Sequence, residues 1–230
     1  MEQEKRFRHE LKYDISYPDY MAMQYRLKKI MAVDPHASDD GKYRIRSIYF
    51  DNYCDKALRE KIDGVAKREK FRIRYYNNDL SFITLEKKMK IDNLCLKYDA
   101  RITEEECRRI LNRDLDWMKE HPSPLVRELY AKMCYQRLEP RVLVSYVREP
   151  YIFRPGNVRV TFDSCVRTTI YQRDFLDGQV FDVNAMDGPG DMILEVKYDA
   201  FLPGIIRDII QVNSVRQQSF SKYGACRRYG

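Results

Sequence analysis

The sequence predicts an α+β domain in which an antiparallel β-barrel of about eight to nine strands carries helices packed outside it. Three observations predict this. Period-2 segments rich in Val, Ile, Tyr and Phe dominate the chain, and most follow one another through short turns without the βαβ repeats of a parallel sheet. Amphipathic helical segments lie between them and need an apolar surface to cover. No low-complexity linker divides the 230 residues, of which 44% are hydrophobic, so residues 1–230 read as a single domain.

In chain order, alternation marks a strand at 6–14, helical spacing follows at 18–31, a strand at 42–50, and a helix at 53–61. Strands at 69–76 and 81–89 flank the turn Asn77-Asn78-Asp79, and a strand at 94–102 follows. Thr103 and Glu106 form a capping box that opens a helix at 103–119, with Cys107, Ile110, Leu111, Leu115 and Met118 on its apolar side. A helix at 122–136 leads into strands at 141–148, 157–163 and 179–183. The turn Asp187-Gly188-Pro189-Gly190 precedes a strand at 191–198, and helices at 203–211 and 214–223 finish the chain, the last opened by a Ser214 and Gln217 box.

Forty-two Lys+Arg against 35 Asp+Glu give a net charge of +7, which favours anionic partners. No run approaches 18 apolar residues and no signal peptide is legible, so a soluble, cytoplasmic protein is expected. The six cysteines never form C-x-x-C and are expected to be reduced. The three histidines lack ligand-like spacing, and there is no P-loop, dinucleotide fingerprint or Ser-His-Asp signature.

Residues two apart on a strand share a face. On that rule Arg8, Glu10 and Lys12 lie together, as do Arg44 with Arg46, Arg72 with Arg74, Glu86 with Lys88, Tyr146 with Arg148, Arg159 with Thr161 and Asp163, and Glu195 with Lys197. A solvated face explains any one such strand. Repetition over seven strands, with helices needing the apolar faces, turns the charges inward. A barrel of about eight strands has room for a ligand, and buried Arg and Lys require an anionic one. The glutamates Glu10, Glu86 and Glu195 read either as internal ion-pair partners or as ligands for a hard divalent cation, the second being preferred at Glu195.

The ordered set ELKY, SIYFDN, FRIRYY, LEKK, LKYDAR, SYVREPY, VRVTFD, LEVKY and FSKYG, from about Glu10 to Tyr223, resembles the polyphosphate polymerase domain of the vacuolar transporter chaperone (VTC) family, within the triphosphate tunnel metalloenzymes. The resemblance implies a metal-dependent polymerase that transfers the terminal phosphate of ATP to a growing polyphosphate chain inside a basic tunnel. It implies catalytic roles for Arg72, Arg74, Lys88, Arg148 and Glu195, and substrate binding by Lys12, Lys97, Tyr146, Arg159, Lys197, Ser221 and Lys222. Mn²⁺ or Mg²⁺ would sit at Glu195, with Glu10 and Glu86 as further candidates.

The partners implied are ATP and polyphosphate or pyrophosphate. No nucleic acid is expected, and any membrane-protein partner that receives the polymer is not encoded in this chain. Hydrolytic tunnel enzymes open with Glu-x-Glu-x-Lys, whereas Arg8 holds the first position here. The alternatives are a triphosphatase or nucleotide hydrolase of the same fold and a non-catalytic binder of polyphosphate or RNA, the latter suggested by the +7 charge and 18 Tyr.

Overall fold

A computed structural model describes residues 7–92, 94–169, 175–177, 182–186, 191–211, 216–217 and 220–229. Its strands are β1 (His9–Ile15), β2 (Ala32–Val33), β3 (Tyr43–Asp51), β4 (Lys67–Tyr76), β5 (Asp79–Ile91), β6 (Leu94–Ile102), β7 (Glu139–Phe153), β8 (Val158–Thr169), β9 (Val183–Asn184), β10 (Met192–Tyr198) and β11 (Arg216–Gln217). The helices are α1 (Tyr17–Leu27), α2 (Lys56–Ile62), α3 (Glu104–Leu111), α4 (Pro124–Tyr135), α5 (Gly204–Ile210) and α6 (Lys222–Cys226).

All strand pairs are antiparallel, in the order β11-β1-β10-β8-β7-β3-β4-β5-β6, with β2 on β7 and β9 on β8. The ends of the eight-strand run from β1 to β6 meet at one bridge, where Arg8 and Cys95 exchange both backbone hydrogen bonds at 3.1 Å. The α+β, tunnel-like arrangement expected from the sequence is therefore present. Among the described residues no helix is long and apolar enough to cross a membrane.

Two apolar cores lie on the outer face, as the amphipathic patterns require. One packs Ile73, Leu85 and Ile102 under α3 and α4, through Cys107, Ile110, Val126 and Leu129. The other packs Tyr151, Phe162, Leu194 and Val196 under α1 and α5, through Met23, Leu27 and Ile206. A third cluster takes inward residues of β3, β7 and β10, Ile45, Tyr49, Val144, Tyr146 and Ile193, and joins them to Tyr223 and Cys226 of α6. The last helix thus occupies part of the barrel interior.

Several expected elements differ. The helix expected over 103–119 ends at Leu111, because Asn112 caps it and Arg113 turns left-handed (φ 61°); a separate 3-10 turn covers Asp116–Glu120. The helix expected over 214–223 is replaced. Arg216 and Gln217 pair with Asp14 and Tyr13 on the open side of β1, where unpaired backbone groups attract a strand, so Gln217 does not cap a helix and Ser214 lies outside the described residues. Helix α6 starts instead at Lys222, after Ser221 accepts from the Gly224 N–H at 3.2 Å. The turn at 187–190 and most of the strand expected at 179–183 also lie outside the described residues. Strand β7 runs past its expected end, through Pro150, opposite an equally extended β8.

Asp51, the last residue of β3, is buried and holds this end of the barrel. Its carboxylate accepts from the N–H groups of Ala57 (2.9 Å) and Leu58 (3.2 Å) in the first turn of α2, and from the Tyr223 hydroxyl of α6 at 2.5 Å. Asn52 accepts from the Lys56 N–H at 3.1 Å. Two helices therefore hang on one carboxylate. Asp51→Ala leaves these donors buried without a partner and is expected to cost about 3 kcal/mol, more than Tyr223→Phe; urea denaturation of both variants checks the order.

Candidate tunnel site

The inward faces place a connected ion-pair network along the tunnel. Four carboxylates, Glu10, Glu86, Asp163 and Glu195, meet seven bases, Lys12, Arg72, Arg74, Lys88, Arg148, Lys197 and Lys222, while Lys97 is shared between Glu86 and Asp99 at the edge. Bases thus outnumber the carboxylates in the cage seven to four among the described residues.

Glu86 on β5, 2% exposed, takes Arg72 Nε at 2.8 Å, Arg74 at 3.5 Å and Lys97 at 3.3 Å. Arg72 and Arg74 reach it because they sit two apart on β4, with Arg72 directly opposite Glu86. They also donate to tyrosines: Arg72 to the Tyr49 hydroxyl at 2.8 Å, Arg74 to that of Tyr76 at 2.9 Å and of Tyr146 at 3.4 Å. Across the tunnel, Glu10 on β1 receives Lys88 at 2.6 and 2.8 Å and Lys12 at 3.2 Å. Lys12 donates onward to the Phe220 carbonyl at 3.1 Å.

Arg148 on β7 forks onto Asp163 on β8, with bonds of 2.6 and 2.7 Å, and reaches Glu195 on β10 at 3.5 Å. Lys222 enters from α6 to Asp163 at 2.5 Å and lies 4.7 Å from the Tyr146 ring centroid. Lys197 binds Glu195 and approaches Glu10 at 3.8 Å.

Of the residues singled out in the sequence, six stand apart from this cage. Arg44 and Arg46 lie on the outer face of β3, because Ser47 and Tyr49 are the residues opposite Arg74 and Arg72, and Arg8 turns to Asp199 at 2.8 Å. Arg159 is turned to Asp34 (2.7 Å) and the Tyr43 hydroxyl (2.6 Å), Lys97 is exposed at the rim, and the Ser221 side chain caps α6. Two residues that sequence reasoning left out of the site belong to it or adjoin it. Asp163, fully buried, could have been found from its register with Arg159 and Thr161; Lys70 shares the face of Arg72 and Arg74, two residues earlier.

A divalent cation would need several oxygen ligands from this donor set. Among the described residues no three His, Cys, Asp or Glu side chains are grouped to hold one. Glu10 and Glu195, however, share Lys197 and repel each other electrostatically, so they are neighbours. Two carboxylates completed by phosphate oxygens and water are the usual surroundings of Mg²⁺, so the residues fit a metal that arrives with a phosphate ligand. Both Glu86 oxygens are held by Arg72, Arg74 and Lys97, and those of Glu10 and Glu195 are likewise held, by Lys88 and by Lys197 with Arg148, so a cation would displace a base at each of them. The hydroxyls of Ser47 and Thr161 and the Nε atoms of Arg74 and Arg159 are buried with no hydrogen-bond partner among the described residues, and Thr161 lies directly opposite Glu195.

The chain matches the VTC domain family over residues 7–229. No curated protein matches it. Among solved structures it is similar to a putative adenylyl cyclase from Hippeastrum described as having a dominant triphosphatase activity, with 12% identity, 96% of this chain and 95% of that chain covered, and a TM-score of 0.55. It is also similar to a putative adenylate cyclase from Bacillus halodurans, with 13% identity, 85% of this chain and 82% of that chain covered, and a TM-score of 0.50. At these identities the likeness is one of fold.

Burial would raise the carboxylates and depress the lysines. For Glu86 the burial effect is overcome by Arg74, Arg72 and Lys97, and for Glu10 by Lys88 and Lys12, so both are held well below the usual carboxylate range. Lys70 goes the other way: burial, with repulsion from Lys12, Arg68 and Lys61 and against the attraction of Asp51, lowers it from 10.5 to about 7. Because the unfolded chain keeps that proton up to about pH 10.5, Lys70 detracts from stability fully below pH 7, and the loss is relieved as pH rises from about 7 to 10.5. Lys70→Met is therefore expected to be more stable than the native chain at pH 6, with the advantage shrinking through pH 10; denaturation midpoints across that range check it.

Proposed function

Because the chain belongs to the VTC domain family, we propose that it is a metal-dependent polyphosphate polymerase, taking the terminal phosphate of ATP onto a growing phosphate chain inside the tunnel. The observation that carries this reading is the excess of bases over carboxylates, seven to four, at a largely buried site, which suits an anion of several charges.

A terminal oxygen of the polymer attacks the γ-phosphorus of ATP. The bond from that phosphorus to the β–γ bridging oxygen breaks, and ADP leaves with the electron pair. No side chain is needed as nucleophile, so the protein's task is alignment and charge cancellation. Arg72, Arg74, Lys88 and Arg148 hold phosphate oxygens, exchanging their contacts with Glu86, Glu10 and Asp163 for contacts with the ligand. Lys12, Lys197 and Lys222 surround Glu195 and guide the acceptor, with Lys97 and Arg159 at the rims and Tyr146 packed between Arg148 and Lys222. Glu195, with Glu10 beside it, would hold Mn²⁺ or Mg²⁺, which supplies Lewis-acid polarisation of the phosphates. Ser221 acts through α6, whose first turn it caps so that Lys222 faces Asp163. A cytoplasmic setting, where ATP is available, agrees with this reading.

Incubation of the purified chain with ATP and Mn²⁺, followed by phosphorus NMR, tests it. An internal-phosphate signal that grows in step with ADP is expected. Orthophosphate or tripolyphosphate alone would make the chain a hydrolase, and no turnover would leave a binding protein. Glu195→Gln is expected to retain the fold and lose metal-dependent turnover by at least about a hundredfold, the loss typical of removing one group that stabilises transition-state charge; full activity in this variant would refute the assignment of Glu195.

A further inference from the structure

The register of β4, β5 and β6 sorts one side of the tunnel by charge. One row sets Arg72 opposite Glu86 and Glu86 opposite Asp99. The next row, about 7 Å along the strands, sets Lys70 opposite Lys88 and Lys88 opposite Lys97. Like charges directly across a ladder destabilise a sheet, so three lysines in register call for an anionic counterpart. Lys88 finds Glu10, and Lys97 finds Glu86 and Asp99. Lys70 finds none. Among the described residues no carboxylate oxygen lies within 4.0 Å of its Nζ, which sits 4.8 Å from the Tyr223 ring centroid.

Apart from Asp51, the charged groups around Lys70 are cations. Arg68 precedes it on the same face, Lys90 stands opposite Arg68, and Lys61 at the end of α2 is near enough to both Lys90 and Arg68 to be depressed by them. Neither Lys61 nor Lys90 has a carboxylate partner within 4.0 Å among the described residues. On β4 alone, Arg74, Arg72, Lys70 and Arg68 form a line of cations at two-residue steps, about 20 Å long. A line of that length suits an anion whose charges repeat, longer than a triphosphate.

We propose that Lys70, with Lys61, Arg68 and Lys90, forms a second anion site continuous with the central cage, which takes the phosphates of a linear phosphate polymer beyond those the cage itself holds. The proposal rests on reading the tunnel as a polyphosphate site, and gives that polymer a path along β4 towards α2. The cage fixes the triphosphate end; the second site discriminates by chain length.

Calorimetric titration of the native chain, Lys70→Met and the double variant Lys61→Ala/Lys90→Ala, with tripolyphosphate and with a long-chain polyphosphate, tests this without any turnover. Long-chain affinity is expected to fall about tenfold or more in each variant relative to any loss for tripolyphosphate, the size of one charge-assisted contact. Lys70→Arg, which keeps the charge, is expected to restore the preference for the long chain. Equal losses for the two anions, or none, would overturn the second site and leave the polymerase reading standing. Failure of the native chain to bind either anion would overturn both.

Discussion

The tunnel's buried cations are the constraint to which the rest of the structure answers. A lysine or arginine taken out of water is costly unless a carboxylate, a hydroxyl or an anion meets it. Here the inward faces together supply charges of both signs, so that a base on one strand finds its carboxylate on another: Arg72 on Glu86, Arg148 on Asp163, Lys88 on Glu10. The exchange is local and incomplete. Every carboxylate serves two or more bases, and the surplus of positive charge has only ligand oxygens left to neutralise it.

That polar interior in turn dictates the exterior. Since strand side chains alternate, walls that point Arg, Lys and Glu inward must point Ile, Leu, Val and Phe outward. The outer apolar faces of β4–β6 and of β1, β10, β8 and β7 are then covered by two separate helix layers, α3 with α4 and α1 with α5. The barrel is held together from outside, not by a central core, which leaves the middle for chemistry. Among the described residues the interior fills with apolar side chains on the side of β3, β7 and the start of β10, and there α6 lies against them.

Helix α6 links scaffold and site. Tyr223 stacks on Tyr49 with ring centroids 5.3 Å apart and donates to Asp51, while the residue before it, Lys222, reaches Asp163. The same Asp51 anchors α2, whose final turn carries Lys61. One buried carboxylate therefore anchors both the helix that brings Lys222 into the central cage and the helix that carries Lys61.

Local chemistry determined much of this from the sequence alone. Alternation identified the long strands and which residues share a face; the Thr103 and Glu106 box located α3; and the repetition of paired charges, with helices needing partners, turned those faces inward. Hence Glu10, Arg72, Arg74, Glu86, Arg148 and Glu195 could be grouped before any coordinates. What alternation cannot supply is register, because every strand satisfies its own period at any alignment with its neighbours. Tertiary structure alone decided that Glu86 sits between Arg72, Arg74 and Lys97, that Arg148 forks onto Asp163, and that Lys70 faces Lys88 across the ladder. It also decided the end of the chain. The stretch at 216–217 carries a helical pattern, yet the open backbone edge of β1 offers it hydrogen bonds that an isolated short helix could not match, and so it pairs as a strand.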